Sequence, residues 1–144
     1  MPPIFINTTE LSKADIDAKK KIFTATKAGA ASKEVEDLMK KTVVDALVNN
    51  AKFTTNKYKD AKGYTLKMEI TEVTVDSAGN TACKMSTTIE RYPDGNVASV
   101  GGNSNAKLGP PADKQAILEC AKAMVKGALE KSMPIMIEDL AKYR

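Results

Sequence analysis

The chain has 144 residues, a formal net charge of +4, 42% hydrophobic and 28% charged residues, which suits one folded domain over residues 1–144 that buries about two thirds of its unfolded surface. No apolar run approaches the ~20 residues that span a bilayer, so no transmembrane segment is expected. With no histidine the usual general base, serine activator and commonest zinc ligand are missing, and with only Arg91 and Arg144 as arginines and 5% aromatics the residues of specific nucleic-acid recognition are nearly absent.

The amino end, Met1 to Asn7, lacks the charged start, long apolar stretch and small-residue cleavage site of a secretory signal. Two expectations follow: a cytoplasmic protein, or a mature domain whose leader has been removed. Ile4, Phe5 and Ile6 form a short β-branched and aromatic run between prolines and Asn7-Thr8-Thr9, which reads as a buried strand. Ser12 followed by Asp15 matches a capping box, predicting a peripheral helix over 12–28. Its apolar stripe (Ile16, Ile22, Phe23) is sparse, and Lys19, Lys20 and Lys21 lie beside it; a solvated outer helix explains this, and contact with an anionic surface is the functional alternative.

Ser32 opens a more strongly patterned helix. Glu34, Glu36 and Asp37 occupy its first turn, where the helix dipole favours acids, and Val35, Leu38, Met39, Val43, Ala46 and Leu47 recur at three and four before Asn49-Asn50. A short strand is expected at 53–55. The connection over 56–63 carries Lys57, Lys59 and Lys62 around Tyr58, a solvated loop or a small anion-attracting patch.

Residues 64–100 read as an antiparallel meander. Tyr64, Leu66, Met68 and Ile70 alternate with Thr65, Lys67, Glu69 and Thr71, so a strand sorts them onto a buried and a wetted face. The apolar register then slips to Val73 and Val75, predicting a bulge at Thr71-Glu72. After the turn at 76–80, Cys83, Met85, Thr87 and Ile89 form the inward set of the next strand, and Asp94-Gly95 closes a hairpin onto a short strand over 97–100. Residues 101–105, Gly-Gly-Asn-Ser-Asn, predict a flexible loop or irregular edge; they match neither the P-loop nor the dinucleotide-binding glycine pattern, and no cofactor is expected.

Asp113 caps a last helix with Ile117, Cys120, Ala121, Met124, Val125, Ala128 and Leu129 on a wide apolar face. Pro134 predicts a kink or a separate short helix after it. Met133, Ile135 and Met136 there read as core, with an apolar contact surface as the alternative. Cys83 and Cys120 read as buried core residues; a bridge between strand and helix requires their Cα atoms within about 7 Å. Asp76 and Asp94 are explained by their turns, and no pair of carboxylates has a spacing that points to catalysis.

The expected fold is α+β: a single-layer, mixed but mostly antiparallel sheet of about four to five strands, covered on one face by two main helices, with an extra peripheral N-terminal helix. Tyr64 to Met68, the run Thr87-Thr88-Ile89-Glu90-Arg91-Tyr92-Pro93-Asp94-Gly95-Asn96-Val97, and the alanine-rich helix from Ala116 to Leu129 resemble a group of bacterial envelope lipoprotein domains. This group includes curli-transport lipoproteins, lipoprotein activators of penicillin-binding proteins and the amino-terminal domain of TolB. The resemblance implies a non-catalytic periplasmic or cell-envelope module that docks onto a protein partner or assembles with itself, held near a membrane by a lipid anchor on a removed leader. It carries no site motif. The rival expectation is a small apolar-ligand binder or cytoplasmic enzyme whose pocket between sheet and helices is lined by Met39, Met68, Met85 and Met124.

Overall fold

A computed structural model describes residues 2–13, 32–110 and 114–143. The alternation over residues 64–75 produces the central strand of a mixed sheet. This is β4 (Gly63–Val75), which pairs antiparallel with β5 (Thr81–Tyr92), and β5 pairs antiparallel with β6 (Val97–Leu108). On its other side β4 pairs parallel with β1 (Ile4–Asn7) and, further along, with the two-residue β2 (Ser12–Lys13). β1 pairs parallel with β3 (Phe53–Thr54), which gives the order β3-β1-β4-β5-β6 with β2 attached to β4.

Two helices cover one face of this sheet. Helix α1 (Ser32–Val48) turns Val35, Met39, Val43 and Leu47 inward, all fully buried, because a spacing of four keeps one stripe on one side. Helix α2 (Lys114–Tyr143) lies mainly over β5 and β6, packs beside α1 and buries Ile117, Cys120, Met124, Val125, Ala128 and Leu129. These meet Tyr64, Leu66, Met68, Ile70, Cys83, Met85 and Ile89 from the strands in one core. The expected α+β architecture, open and mostly antiparallel with two covering helices, is the one observed. The bulge also falls where the slip predicts it: pairing jumps from Ile70 to Glu72.

Four local expectations differ. Ser12 does not cap a helix; it lies in β2, and its hydroxyl donates to the Glu36 carbonyl of α1 at 2.9 Å. Leu11 explains the change, since burying it (1% exposed) and accepting the Met68 amide on its carbonyl at 2.7 Å draws the segment onto β4. The remainder of the predicted peripheral helix lies outside the described residues, as does the Asp113 cap. Residues 101–105 form no loop; of the two alternatives the irregular edge is the one observed, with β6, the end strand, running through them to Leu108 and its pairing irregular between Met85 and Thr87. Backbone pairing with β5 requires no apolar side chain, so the lack of such side chains is no obstacle to a strand there. Helix α2 runs on through Pro134 as one element, so no separate short helix follows it, its apolar face on the sheet holding both halves together. Finally, Cys83 and Cys120 are joined in a disulfide, with Cα atoms 6.3 Å apart. The inward parity of Cys83 and the core stripe of α2 place the two side chains face to face.

Candidate functional site

The helix-covered face holds a polar cluster near the end of the hairpin. Tyr64 and Arg91 are directly paired on β4 and β5 and share the inward parity. An arginine on a core-facing position needs an anion, and α2 supplies Asp139. The guanidinium donates through Nε to Asp139 Oδ2 at 3.1 Å and through Nη2 to Oδ1 at 2.9 Å, while the buried Tyr64 hydroxyl donates to Oδ2 at 2.7 Å. The hydrogen bonds from Arg91, then the one from Tyr64, hold the Asp139 carboxyl below its ordinary range, against the opposing effect of burial. Asp139 in turn holds Arg91 more firmly charged. The cluster fastens the carboxyl-terminal half of α2 to the sheet. Its sequence signal was available: Arg91 continues the inward set of Cys83, Met85, Thr87 and Ile89.

The opposite sheet face is polar and carries its own charge ladder. Lys67 on β4 meets Glu90 on β5 at 3.0 Å and Glu10 of the β1–β2 turn at 3.6 Å. The Glu90 hydrogen bond leads the causes that raise the Lys67 pKa. At the turn over 76–80, Asp76 accepts hydrogen bonds from the backbone amides of Ala78 and Asn80 and from the Asn80 side chain; these, the Asn80 side chain first, lower its pKa. Every resolved shift therefore favours the charged form. In each case the cause is a hydrogen-bonded partner of opposite charge or a donated amide. Among the described residues no three potential ligands converge as a metal centre requires.

Aromatic contacts close one end of the polar face. Phe5, Gly63 and Tyr92 lie in one row across β1, β4 and β5, and because Gly63 has no side chain the rings of Phe5 and Tyr92 meet edge-on over it, centroids 4.9 Å apart. A Cβ on Gly63 would run into the Phe5 carbonyl group. Lys57 Nζ sits 5.8 Å from the Tyr92 ring centroid, a cation–π arrangement.

Lys57, Lys59 and Lys62 are all exposed on the connection before β4. Lys19, Lys20 and Lys21 lie outside the described residues, so the two lysine groups are not brought together here. Met133, Ile135 and Met136 separate: Met136 is fully buried, Met133 packs partly buried against the core, and Ile135 is 38% exposed. Met39, Met68, Met85 and Met124 are all packed inside the core, none more than 1% exposed, and of the four Met68 also borders a cleft on the polar side of the sheet with Glu10, Lys67 and Ser86. An apolar groove of about 320 Å³ instead lies between the start of β1 and the end of α2, lined by Pro2, Pro3, Ile4, Ile137, Leu140 and Ala141 with Lys52 at its margin.

The fold recurs in a solved structure. The chain is similar to a protein of Xanthomonas campestris assigned to the family model DUF330, with a TM-score of 0.59 at 12% identity over 98% of this chain and 87% of that one. Lower similarity relates it to a candidate lipoprotein from Caulobacter crescentus (TM-score 0.46, 14% identity, 85% of this chain and 96% of that one). It relates it likewise to PelC of Paraburkholderia phytofirmans, solved as a dodecamer (TM-score 0.44, 7% identity, 94% and 93%). No family model and no curated protein matches the chain. At 12% identity what is shared with the Xanthomonas campestris protein is the fold. Among the described residues no helix is long and apolar enough to cross a membrane.

Proposed function

We propose that this protein is a non-catalytic module of the cell envelope that docks onto a protein partner or assembles with copies of itself. The observation that carries this reading is the Cys83–Cys120 disulfide, which ties sheet to helix inside the core. Structural disulfides persist in oxidising compartments such as the bacterial periplasm and are uncommon in a reducing cytosol. The sequence resemblance to envelope lipoprotein domains supports the same compartment.

The test is to fractionate cells of the source organism and trap thiols with an alkylating mass tag before lysis. The expected result is an envelope or periplasmic protein whose two cysteines take up the tag only after reduction. A cytosolic protein tagged at both cysteines without reduction would overturn the reading. The apolar groove beside β1 favours a second reading, a small apolar ligand. Native mass spectrometry of the protein purified from its source distinguishes it: a retained apolar molecule lost on Leu140→Glu supports a ligand there, and a ligand-free mass counts against it.

A further inference from the structure

The groove of about 320 Å³ has hydrocarbon walls, Pro3 and Ile4 at the start of β1 and Ile137 and Leu140 near the end of α2, and the chain leaving α1 passes along its margin at Ala51 and Lys52. Three hydrogen bonds fix that margin. The Tyr58 hydroxyl donates to the Pro3 carbonyl at 2.6 Å, the Ile4 amide donates to the Lys52 carbonyl at 2.8 Å, and the Lys52 amide donates to Asn50 Oδ1 at 3.0 Å. A site whose backbone is already held loses little freedom when it fills.

The groove also has a sign. Lys52 is the only charged residue lining it; its side chain is exposed, and among the described residues it enters no ion pair. The acids on the neighbouring turns of α2 are engaged elsewhere, Asp139 by Arg91 and Tyr64 and Glu138 by Lys142 at 3.5 Å. Residues 52–62 carry Lys52, Lys57, Lys59 and Lys62 against Asp60 alone, so the potential at this end is positive. Lys57 lies by the Tyr92 ring on the polar sheet face and adds only to that field, which leaves Lys52 as the cation in reach of a molecule in the groove.

We infer that the groove takes a single-chain amphiphile with one anionic head, its tail against Pro3, Ile4, Ile137 and Leu140 and its head on the Lys52 ammonium. The inference rests on the apolar-ligand reading above and gives that ligand a chemical class. A neutral apolar molecule would fill the groove without using the cation at its margin, whereas an anionic head gains a charge-assisted hydrogen bond there. The flexible lysine stem lets the ammonium meet that head at the solvent boundary while the tail is covered. A dry wall ending in one wet cation thus matches the two ends of the ligand. The volume is that of roughly ten water-sized groups, which suits a straight chain of about ten carbons. A fatty-acid carboxylate and a phosphate-headed lipid offer Lys52 the same chemistry.

Isothermal titration calorimetry on the full chain tests this with decanoate, decyl phosphate, decanol and acetate, circular dichroism verifying that each variant is folded. At low salt one of the two long-chain anions should bind about fivefold more tightly than decanol, and acetate should not bind; the tighter of the two anions identifies the source of the head. Lys52→Gln should remove that fivefold advantage and leave decanol unchanged. Ala141→Trp, at an exposed position on the groove wall, should abolish binding of anion and alcohol alike. Anions that bind no better than decanol, or that are indifferent to Lys52→Gln, overturn the inference and leave the apolar-ligand reading standing. Failure of decanol and both anions to bind overturns the two together, as does binding that survives Ala141→Trp.

Discussion

Asp139 is worth more to this fold than its place near the end of a helix suggests, because one carboxylate receives two donors from Arg91 and one from the buried Tyr64. Tyr64→Phe removes one of those donors while keeping the ring packed, so a loss of about 1 kcal/mol is expected in denaturant unfolding. The pH dependence follows from the direction of the shift. The folded carboxyl is held below its unfolded value, so its contribution is complete above the unfolded pKa and is lost as the pH falls through the folded one. The stability gap between wild type and Asp139→Asn should therefore stay constant near neutrality and narrow below about pH 4, measured as melting temperature against pH. The arginine's inward parity was legible in the sequence. Its partner was not, since α2 exposes several acids and only the docked helix shows which one reaches the sheet.

At the scale of elements, strands β4 and β5 were readable because their alternation is a direct record of two faces with different solvents. β2 and the second half of β6 were not. Both are held by backbone pairing to a neighbour, Ser12 with Met68 and the 101–108 segment with β5, and backbone pairing leaves little trace in side-chain type. The parallel contact of β1 with β4 depends on a similar feature, the bare backbone of Gly63 against Phe5. Gly63→Ala should force these strands apart, costing about 3 kcal/mol or more and weakening the near-ultraviolet circular dichroism signal of the Phe5–Tyr92 pair. A change confined to a few tenths of a kcal/mol would show that β1 yields without loss.

For the whole molecule, the disulfide links the sheet to its covering helix across 37 positions of sequence, a loop whose closure removes a large share of the unfolded chain's freedom. Cys83→Ala with Cys120→Ala should lower unfolding stability by about 3–4 kcal/mol on the chain-entropy account, and reduction of the wild type should lower it by a similar amount. Equal unfolding midpoints for the oxidised and reduced protein would refute that. Among the described residues one polar face and one long edge of the open sheet carry no covering element, while the other face is filled by two helices and by the methionines Met39, Met68, Met85 and Met124.

By itself the sequence determined the class of the fold, the meander with its bulge and turns, the inward stripes of both helices, and the absence of histidine chemistry. These are properties of near neighbours along the chain, where periodicity and turn residues act directly. Only the tertiary structure decided that Cys83 meets Cys120, that Asp139 closes on Arg91 and Tyr64, and that Lys52 borders a groove walled by Pro3 and Leu140. Each of those joins residues distant in sequence, and their meeting depends on how helices settle on a twisted sheet, which no local pattern records.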